Sequence, residues 1–424
     1  MVRAVLTSGD GTTVAHAGVS AQDRAIGERV RRIRNRRGMS VEAAAGLAGI
    51  HKSFLSRLEN GKRAFTRVGL LEDLASALSC SVADLTGQLY PLREYRHAEL
   101  EAVVAEVCRA LHDATLDDVP DLPPAPLADL VAGAARAHYC ADEARYGTAG
   151  RDLADLLVDL HVHAATGTGA DRERALVALV EVCKVAYILA KRTGRTELAA
   201  AAAQRGVDAA RLADRPDLAA FMEMSLSSAL LGVRARRRSG LVCARALDRL
   251  AALPGPTERE TGAAEARGML HLTTALLAAK DGDGAEVRSH LEEARSLAAH
   301  TGERNTLRYH FGPTNVAAWE LGLAVEAGDG PAVARRLARS PLDLSVFGSN
   351  GRAAYVHFDL ARAWAQAGGA HDQQALHALD TADRLAPIRV RNDPLARDVV
   401  QTVDRRAKRP AWVLTSLKNR LGVS

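Results

Sequence analysis

From Leu127 to the last residue, Ala- and Leu-rich runs of helical length alternate with short Gly, Asp and Pro breaks, and no stretch alternates β-branched with polar residues. This pattern constrains the fold more than any other feature. Apolar residues at three- and four-residue steps give helices with one buried stripe. With no strands to cover them, such helices bury their stripes only against one another. The pattern also returns every roughly 34 residues. In 182–213, Leu189-Ala190 is followed by Ala202 and Ala209; in 267–300, Ala275 is followed by Val287, Leu291 and Ala294. In 354–387, Leu360-Ala361 and Trp364 are followed by Ala375, Leu379, Ala382 and Pro387. Segments 218–252 and 315–340 are looser copies. Small residues in the second helix of each pair let it approach the first closely, and stacked pairs bury what one pair leaves exposed. The expectation is an all-α chain with a helical-repeat domain over 127–424, capped by basic helices across 394–421.

Ahead of the array the chain changes character three times. Residues 1–21 are small and polar and read as a disordered tail. Residues 22–90 hold five short helical patterns joined by tight turns. Residues 91–126 read as a linker. Its first part is one amphipathic helix, with Leu100, Val103, Val104, Val107, Cys108 and Leu111 on one stripe and Pro91 in the first turn. Its second part, DDVPDLPPAP, is too rich in proline for a helix interior and is an extended connector.

Composition closes off several classes. At 47% hydrophobic, the chain of 424 residues has ample core material, so wholesale disorder is excluded. No apolar run approaches the roughly 18 residues of a membrane span. The five cysteines lie far apart and form no CxxC, which excludes a disulfide scaffold or a zinc ribbon and fits a reducing cytoplasm. The first twenty residues lack a secretory signal pattern. The excess of Arg over Lys, 49 to 7, points to a GC-rich bacterial genome.

Charge is concentrated. Between Arg24 and Arg67 stand twelve Lys/Arg against three Glu, a local +9 in a chain of formal charge +5. A compact basic module on a near-neutral body is the footprint of nucleic-acid binding. Spacing supports this reading. Ile26, Val30 and Ile33 give a first helix with a basic outer face, broken at Gly38. Ser40 is a good N-cap for a second helix over 41–47. Gly49 makes a turn, and a third helix runs to Glu59 with Leu55 and Leu58 toward the core. Two short helices joined at a glycine make a helix-turn-helix, which lays its second helix in the major groove.

Residues 26–85 resemble the lambda-repressor/Cro-like family, also called xenobiotic-response-element-type regulators. The residues that carry the resemblance are the Ile-Gly opening, the Arg-rich first helix, Met39-Ser40, Gly49-Ile50, Phe54-Leu55-Ser56-Arg57-Leu58-Glu59, Gly61 and the closing LLEDLASALSCSVADL. Val41 stands where the family often has Gln, and Ala44 where a larger core residue is common. The resemblance implies a five-helix DNA-binding domain that works as a dimer on an inverted repeat. It implies that Lys52 and Ser53 face base edges, with Ser56 and Arg57 one turn further on. Arg suits guanine O6/N7 in bidentate fashion. Lys62, Arg63 and Ser40 are placed for phosphates, while Arg34, Arg36 and Arg37 steer the approach. Glu59 is expected to pair with a first-helix Arg, and Phe54 to pack.

The repeats are similar to the tetratricopeptide pattern, the 354–387 unit most of all, with a GGAHD turn two residues longer than usual. A helix-turn-helix joined to such an α-solenoid resembles large bacterial regulators of GC-rich genomes. In layout it is also similar to the peptide-sensing quorum regulators of Gram-positive bacteria. HFGPTNVAAWELGLAVEAGD (310–329) and PLAR (394–397) carry the first resemblance. It implies a transcriptional regulator whose array senses a small molecule, a peptide or a partner protein. A solenoid's concave face is lined by first helices. Candidate ligand residues there are His271, Thr314, Asn315, Trp319, Tyr355, His357 and Trp364. Asn315 can bond a ligand backbone, but a cap or loop bond after Gly312-Pro313 is the commoner use, and the two tryptophans are more often core than pocket.

Other motifs carry no chemistry. His161 and His163 point apart on a helix with no third metal ligand in step. Asp281-Gly-Asp283-Gly has Ala285 and Glu286 where a calcium loop needs an acid and a glycine, so it is a turn. There is no GxSxG, HExxH or Walker pattern. The reading is therefore a non-enzymatic, cofactor-free, cytoplasmic DNA-binding regulator, homodimeric and without a membrane partner. Its rival is an interaction adaptor whose array recruits a partner and whose helix-turn-helix is a weak DNA tether.

Overall fold

The computed structural model describes residues 21–63, 65, 68–80, 82–86, 95–252, 258–409 and 411–423. The expected tail up to residue 20, and Pro91 at the expected helix start, lie outside the described residues. Among the described residues every element is helical and there is no strand. The chain divides into two compact units, Met1–Pro91 and Leu92–Val423.

The first unit has five helices: α1 (Ala21–Arg36), α2 (Val41–Leu47), α3 (Lys52–Glu59), α4 (Val68–Ala77) and α5 (Val82–Thr86). Ile26, Val30 and Ile33 are buried on α1, as are Leu55 and Leu58 on α3, and the two helices pack together. Gly27 is where they cross. A Cβ there would stand 2.2 Å from the Leu58 carbonyl oxygen, so only glycine fits. Ser40 caps α2 by accepting from the Ala43 N–H at 3.0 Å, and Gly49 turns the chain into α3 at φ 64°. Ala44 is fully buried, so the small residue packs where the family often has a larger one.

The second unit opens with α6 (Tyr95–Asp113), α7 (Leu127–Asp142), α8 (Tyr146–Gly150) and α9 (Leu153–Thr166). Five helix pairs follow: α10 (Gly169–Arg192) with α11 (Thr196–Leu212), α12 (Pro216–Gly232) with α13 (Arg236–Ala251), and α14 (Glu258–Asp281) with α15 (Gly284–Thr301). The last two are α16 (Pro313–Ala327) with α17 (Gly330–Arg339), and α18 (Asn350–Ala367) with α19 (Asp372–Leu385). The chain ends in α20 (Pro387–Arg391), α21 (Pro394–Asp404) and α22 (Trp412–Leu421). First helices stack on first helices, α10 on α12, then α14, α16 and α18 in turn. This is a tetratricopeptide-like solenoid, though α10 and α14 run to 24 residues and break the even spacing.

One turn recurs. Ala144, Gly194, Asp214 and Arg234 each lie two residues past a helix end with φ between 51° and 76°. The next N–H then bonds back into the last helical turn, as in Arg195 N to Ala190 O at 2.8 Å. This left-handed closure satisfies carbonyls that the helix leaves open. Only one of the four is glycine.

The helix expected to link the two parts is instead built into the second unit. Leu100, Val104, Val107 and Leu111 are buried, and α6 packs on α8 and α9. Val103 lies against Gly150, where a Cβ would meet its Cγ1 at 2.2 Å. The proline-rich connector is non-helical and pinned: the Ala125 N–H donates to Asp159 Oδ2 at 3.1 Å, and His163 Nε2 donates to the Ala125 carbonyl at 2.8 Å. At the other end Arg420 of α22 is buried and bonds Asp380 at 2.5 Å and Asp383, which also takes Arg391 at 2.9 Å.

The array curls until it meets itself. The Ser349 hydroxyl donates to the Asp142 carbonyl at 3.0 Å, and the Asn350 amide to Glu143 Oε2 at 2.7 Å, each spanning 207 residues. Gly351 lies so near that a Cβ would be 3.1 Å from Asp142 O. Asn392 Nδ2 adds a bond to the Arg192 carbonyl at 2.9 Å.

Candidate nucleic-acid interface and central cavity

Helix α3 is amphipathic in charge as well as in apolarity. Leu55, Leu58 and Glu59 face inward, while Lys52, Ser53 and Arg57 are exposed and Ser56 is half-buried between them. Arg57 Nε donates to the Ser53 carbonyl at 3.3 Å, and Lys52 pairs loosely with Glu42 at 3.2 Å on the surface. Lys62 and Arg63 are exposed just past the helix, where Arg63 lies 5.2 Å over the Phe54 ring. Ser40 is exposed at the N-terminus of α2.

Arg34 departs from the expected role of steering the approach to DNA. It is 8% exposed and holds Glu59 with two bonds, Nε to Oε1 at 2.6 Å and Nη2 to Oε2 at 2.9 Å. Its third nitrogen donates to the Met39 carbonyl at 2.8 Å. The pairing with Glu59 raises the guanidinium pKa above its ordinary value. Arg37 likewise serves the fold, donating to the carbonyls of Leu78 at 3.2 Å and Ser79 at 2.7 Å, beyond the end of α4. Arg29 does the same at Leu85 and Thr86, closing α5. The cations left exposed on α1 include Arg31, Arg32 and Arg36.

The solenoid surrounds a half-open cavity of about 250 Å³. Every first helix supplies a wall: Lys184 and Lys191 from α10, Met224 and Ser228 from α12, Met269 and Leu276 from α14, Asn315 and Trp319 from α16, Arg352 and Tyr355 from α18. The ring contact closes it with Asp142 and Tyr146 on one side, Arg308 to His310 and Arg389 on the others. The Lys184 ammonium is buried with no hydrogen-bond partner, 3.9 Å from the Phe221 ring centre and 3.4 Å from that of Tyr309. Burial pushes its pKa well below the ordinary lysine value. Asn315 is fully buried; its amide donates to the Tyr309 carbonyl at 3.2 Å and its oxygen accepts from Arg352 Nε at 2.8 Å. The Arg352 and Arg389 guanidinium groups lie 5.0 and 4.1 Å from the one Tyr355 ring. Burial, then the nearby Arg192, lowers the Arg389 pKa to about 10.

Of the expected ligand residues, Asn315 and Tyr355 line this cavity together with Trp319. His357 and Trp364 do not. They border a second, apolar cavity of about 180 Å³ with Leu337 and Leu344, and Trp364 stacks on His371 at 4.8 Å. His271 lines neither; its Nδ1 is 2.8 Å from His290 Nδ1, and burial followed by His290 pushes its pKa down to about 4. Thr314 also lines neither, and its N–H donates to Glu303 at 2.8 Å. Sequence reasoning missed Lys184, Arg308, Arg352 and Arg389. Lys184 had a signal, a lone lysine inside the apolar run VEVCKVAYILA; the others sit in ordinary polar surroundings. Asp283 caps α15 through the Ala285 and Glu286 N–H groups, consistent with a turn. Among the described residues no group of three or more His, Cys, Asp or Glu is placed to hold a metal, and no helix is long and apolar enough to cross a membrane.

Residues 25–89 match the family model of a helix-turn-helix domain. Two solved structures are similar to the chain. The crystal structure of Bacillus thuringiensis PlcR in complex with the peptide PapR7 and DNA is 14% identical, covering 71% of this chain and 99% of that one, with a TM-score of 0.31. The apo form of ComR from S. thermophilus is 13% identical, covering 77% and 98%, with a TM-score of 0.16. No curated protein matches the chain.

Proposed function

We propose that this chain, with a helix-turn-helix domain at residues 25–89, is a sequence-specific transcriptional regulator whose solenoid binds an effector. The observation that carries the reading is the division of labour along α3: Leu55, Leu58 and Glu59 hold the fold, leaving Lys52, Ser53, Ser56 and Arg57 on the open side. Such a helix reads bases in the major groove, with Lys62, Arg63 and the Ser40 end of α2 on flanking phosphates. One module covers half a site, so two copies act on an inverted repeat. The effector sits in the central cavity, and its occupancy changes the spacing or mobility of the two DNA heads. The size of the response is bounded by the effector's differential affinity for the two states. The function is binding rather than catalysis.

The test is selection of genomic fragments by the purified full chain at physiological salt. Enrichment of an inverted repeat is the expected result. Binding without sequence preference, lost as salt rises, would reduce the head to a phosphate tether. That outcome would favour an adaptor that recruits a partner protein through its array.

A further inference from the structure

The central cavity is cationic beyond anything its own walls neutralise. Six Lys/Arg side chains line it, against the single carboxylate of Asp142. Glu181, outside the lining, offsets one of the six, lying 3.7 Å from Arg308, and Asp359 pairs with Arg362 through Oδ1 at 3.1 Å while its buried Oδ2 has no partner. Asp142 itself is flanked by His310 at 3.8 Å and His138 at 4.0 Å. Lys184 Nζ, Arg352 Nη2 and Arg192 Nε are shielded from solvent and have no hydrogen-bond partner. A buried nitrogen donor left without a partner is unfavourable, and more so when it is charged.

We propose that the cavity is built for a small organic anion, a carboxylate on an apolar body. The acid group pairs with Lys184 and the Arg352–Arg389 couple that shares the Tyr355 ring, where no carboxylate among the described residues lies within ion-pair distance. Asn315 fixes Arg352 through the 2.8 Å bond and orients its free nitrogen. The apolar body lies against Met224, Leu276 and Trp319. Volume sets the size. A cavity of ~150 Å³ holds benzene, so one of about 250 Å³ takes a one- or two-ring acid. This assigns a chemical class to the effector and rests on the regulator reading only for that role.

Two measurements on the full chain test it. The first needs no ligand. Lys184→Met removes a buried amine with no hydrogen-bond partner and Arg389→Met a buried guanidinium with no ion pair among the described residues, so both should melt higher than the parent protein. A lower Tm for both would make these cations part of the scaffold and overturn the proposal. The second is a thermal-shift titration with 2-naphthoate, 2-naphthamide and inorganic phosphate. The acid should raise Tm saturably, with half-saturation weakened at least roughly tenfold by Arg352→Gln or Lys184→Met; the amide and phosphate should do little. Equal shifts from acid and amide would leave an apolar pocket only, and an equal shift from phosphate a simple anion site. No shift from the acid would also overturn the proposal. Fragment selection run in parallel separates the two readings: acid binding without an operator keeps the anion site and sinks the regulator, and the converse keeps the regulator and sinks the site.

Discussion

Arg205 donates to His161 Nε2 at 2.8 Å, while His161 Nδ1 donates to the Leu157 carbonyl at 2.6 Å. The imidazole is thereby fixed as the neutral Nδ1–H tautomer. A proton on Nε2 would remove the acceptor and set two cations together. Burial, with Arg205 adding to it, pushes the His161 pKa down to about 4. His138, buried with neither ring nitrogen hydrogen-bonded, is pushed down to about 3 by burial and then by Lys184. Both values are depressed, so between about pH 6.5 and 4 the unfolded chain binds protons that the folded chain does not. Stability therefore falls as pH drops through that window. Urea denaturation at pH 7 and at pH 4.5 should show the loss. His138→Leu, which gives up no hydrogen bond, should lessen it; an unchanged pH slope in that variant would acquit His138.

The Arg34–Glu59 pair yields a prediction about the head alone. Removing one partner strands the other charge in a dry site. Glu59→Ala should cost roughly 3–5 kcal/mol, enough to unfold a unit of this size. Replacing both, Arg34→Met with Glu59→Leu, should restore most of the stability. Far-ultraviolet circular dichroism melts of the three proteins check this, and equal destabilisation by the single and double changes would contradict it.

Arg57 is exposed, and its side chain bonds the Ser53 carbonyl one turn back in its own helix. Arg57→Ala should leave the melting temperature unchanged and lose roughly 1–3 kcal/mol on the selected operator, with little change on random duplex. Lys62→Ala should weaken both duplexes alike and flatten the salt slope. Fluorescence anisotropy at two salt concentrations distinguishes the two roles.

Gly27 and Gly46 make a controlled comparison. Gly27→Ala places a methyl 2.2 Å from the Leu58 carbonyl and must push α1 off α3. Overpacking of this kind costs roughly 1–3 kcal/mol. Gly46, also helical, has nothing within 4 Å of its missing Cβ, so Gly46→Ala should be neutral or stabilising. Chemical denaturation of both variants reads the sign.

Much of the fold is legible in the sequence because it follows from local rules. The 41–47 and 52–59 helices are announced by Ser40, Gly49 and the spacing of Leu55 and Leu58, and the repeats by small residues at fixed steps. Contacts across long separations are not local and leave little trace. Arg34 reads as surface charge until Glu59 is brought beside it, and α6 reads as a linker until Gly150 lets Val103 in. The cavity was half legible. Asn315 and Tyr355 stand out as polar or aromatic residues on first helices, whereas Arg389 enters from α20 only because the array curls back. His357 shares a helix with Tyr355 but faces the other cavity, a distinction of one helical step that composition does not encode.

Open repeat stacks lengthen and shorten in evolution by whole units, since each unit answers only to its neighbours. The bonds from Ser349 and Asn350 to the turn after α7 remove that freedom. The helices between them must span one fixed gap, so an added or deleted pair would part the two ends and open the chamber. Copy number is frozen by geometry, and divergence in this domain is left to substitutions along its inner walls.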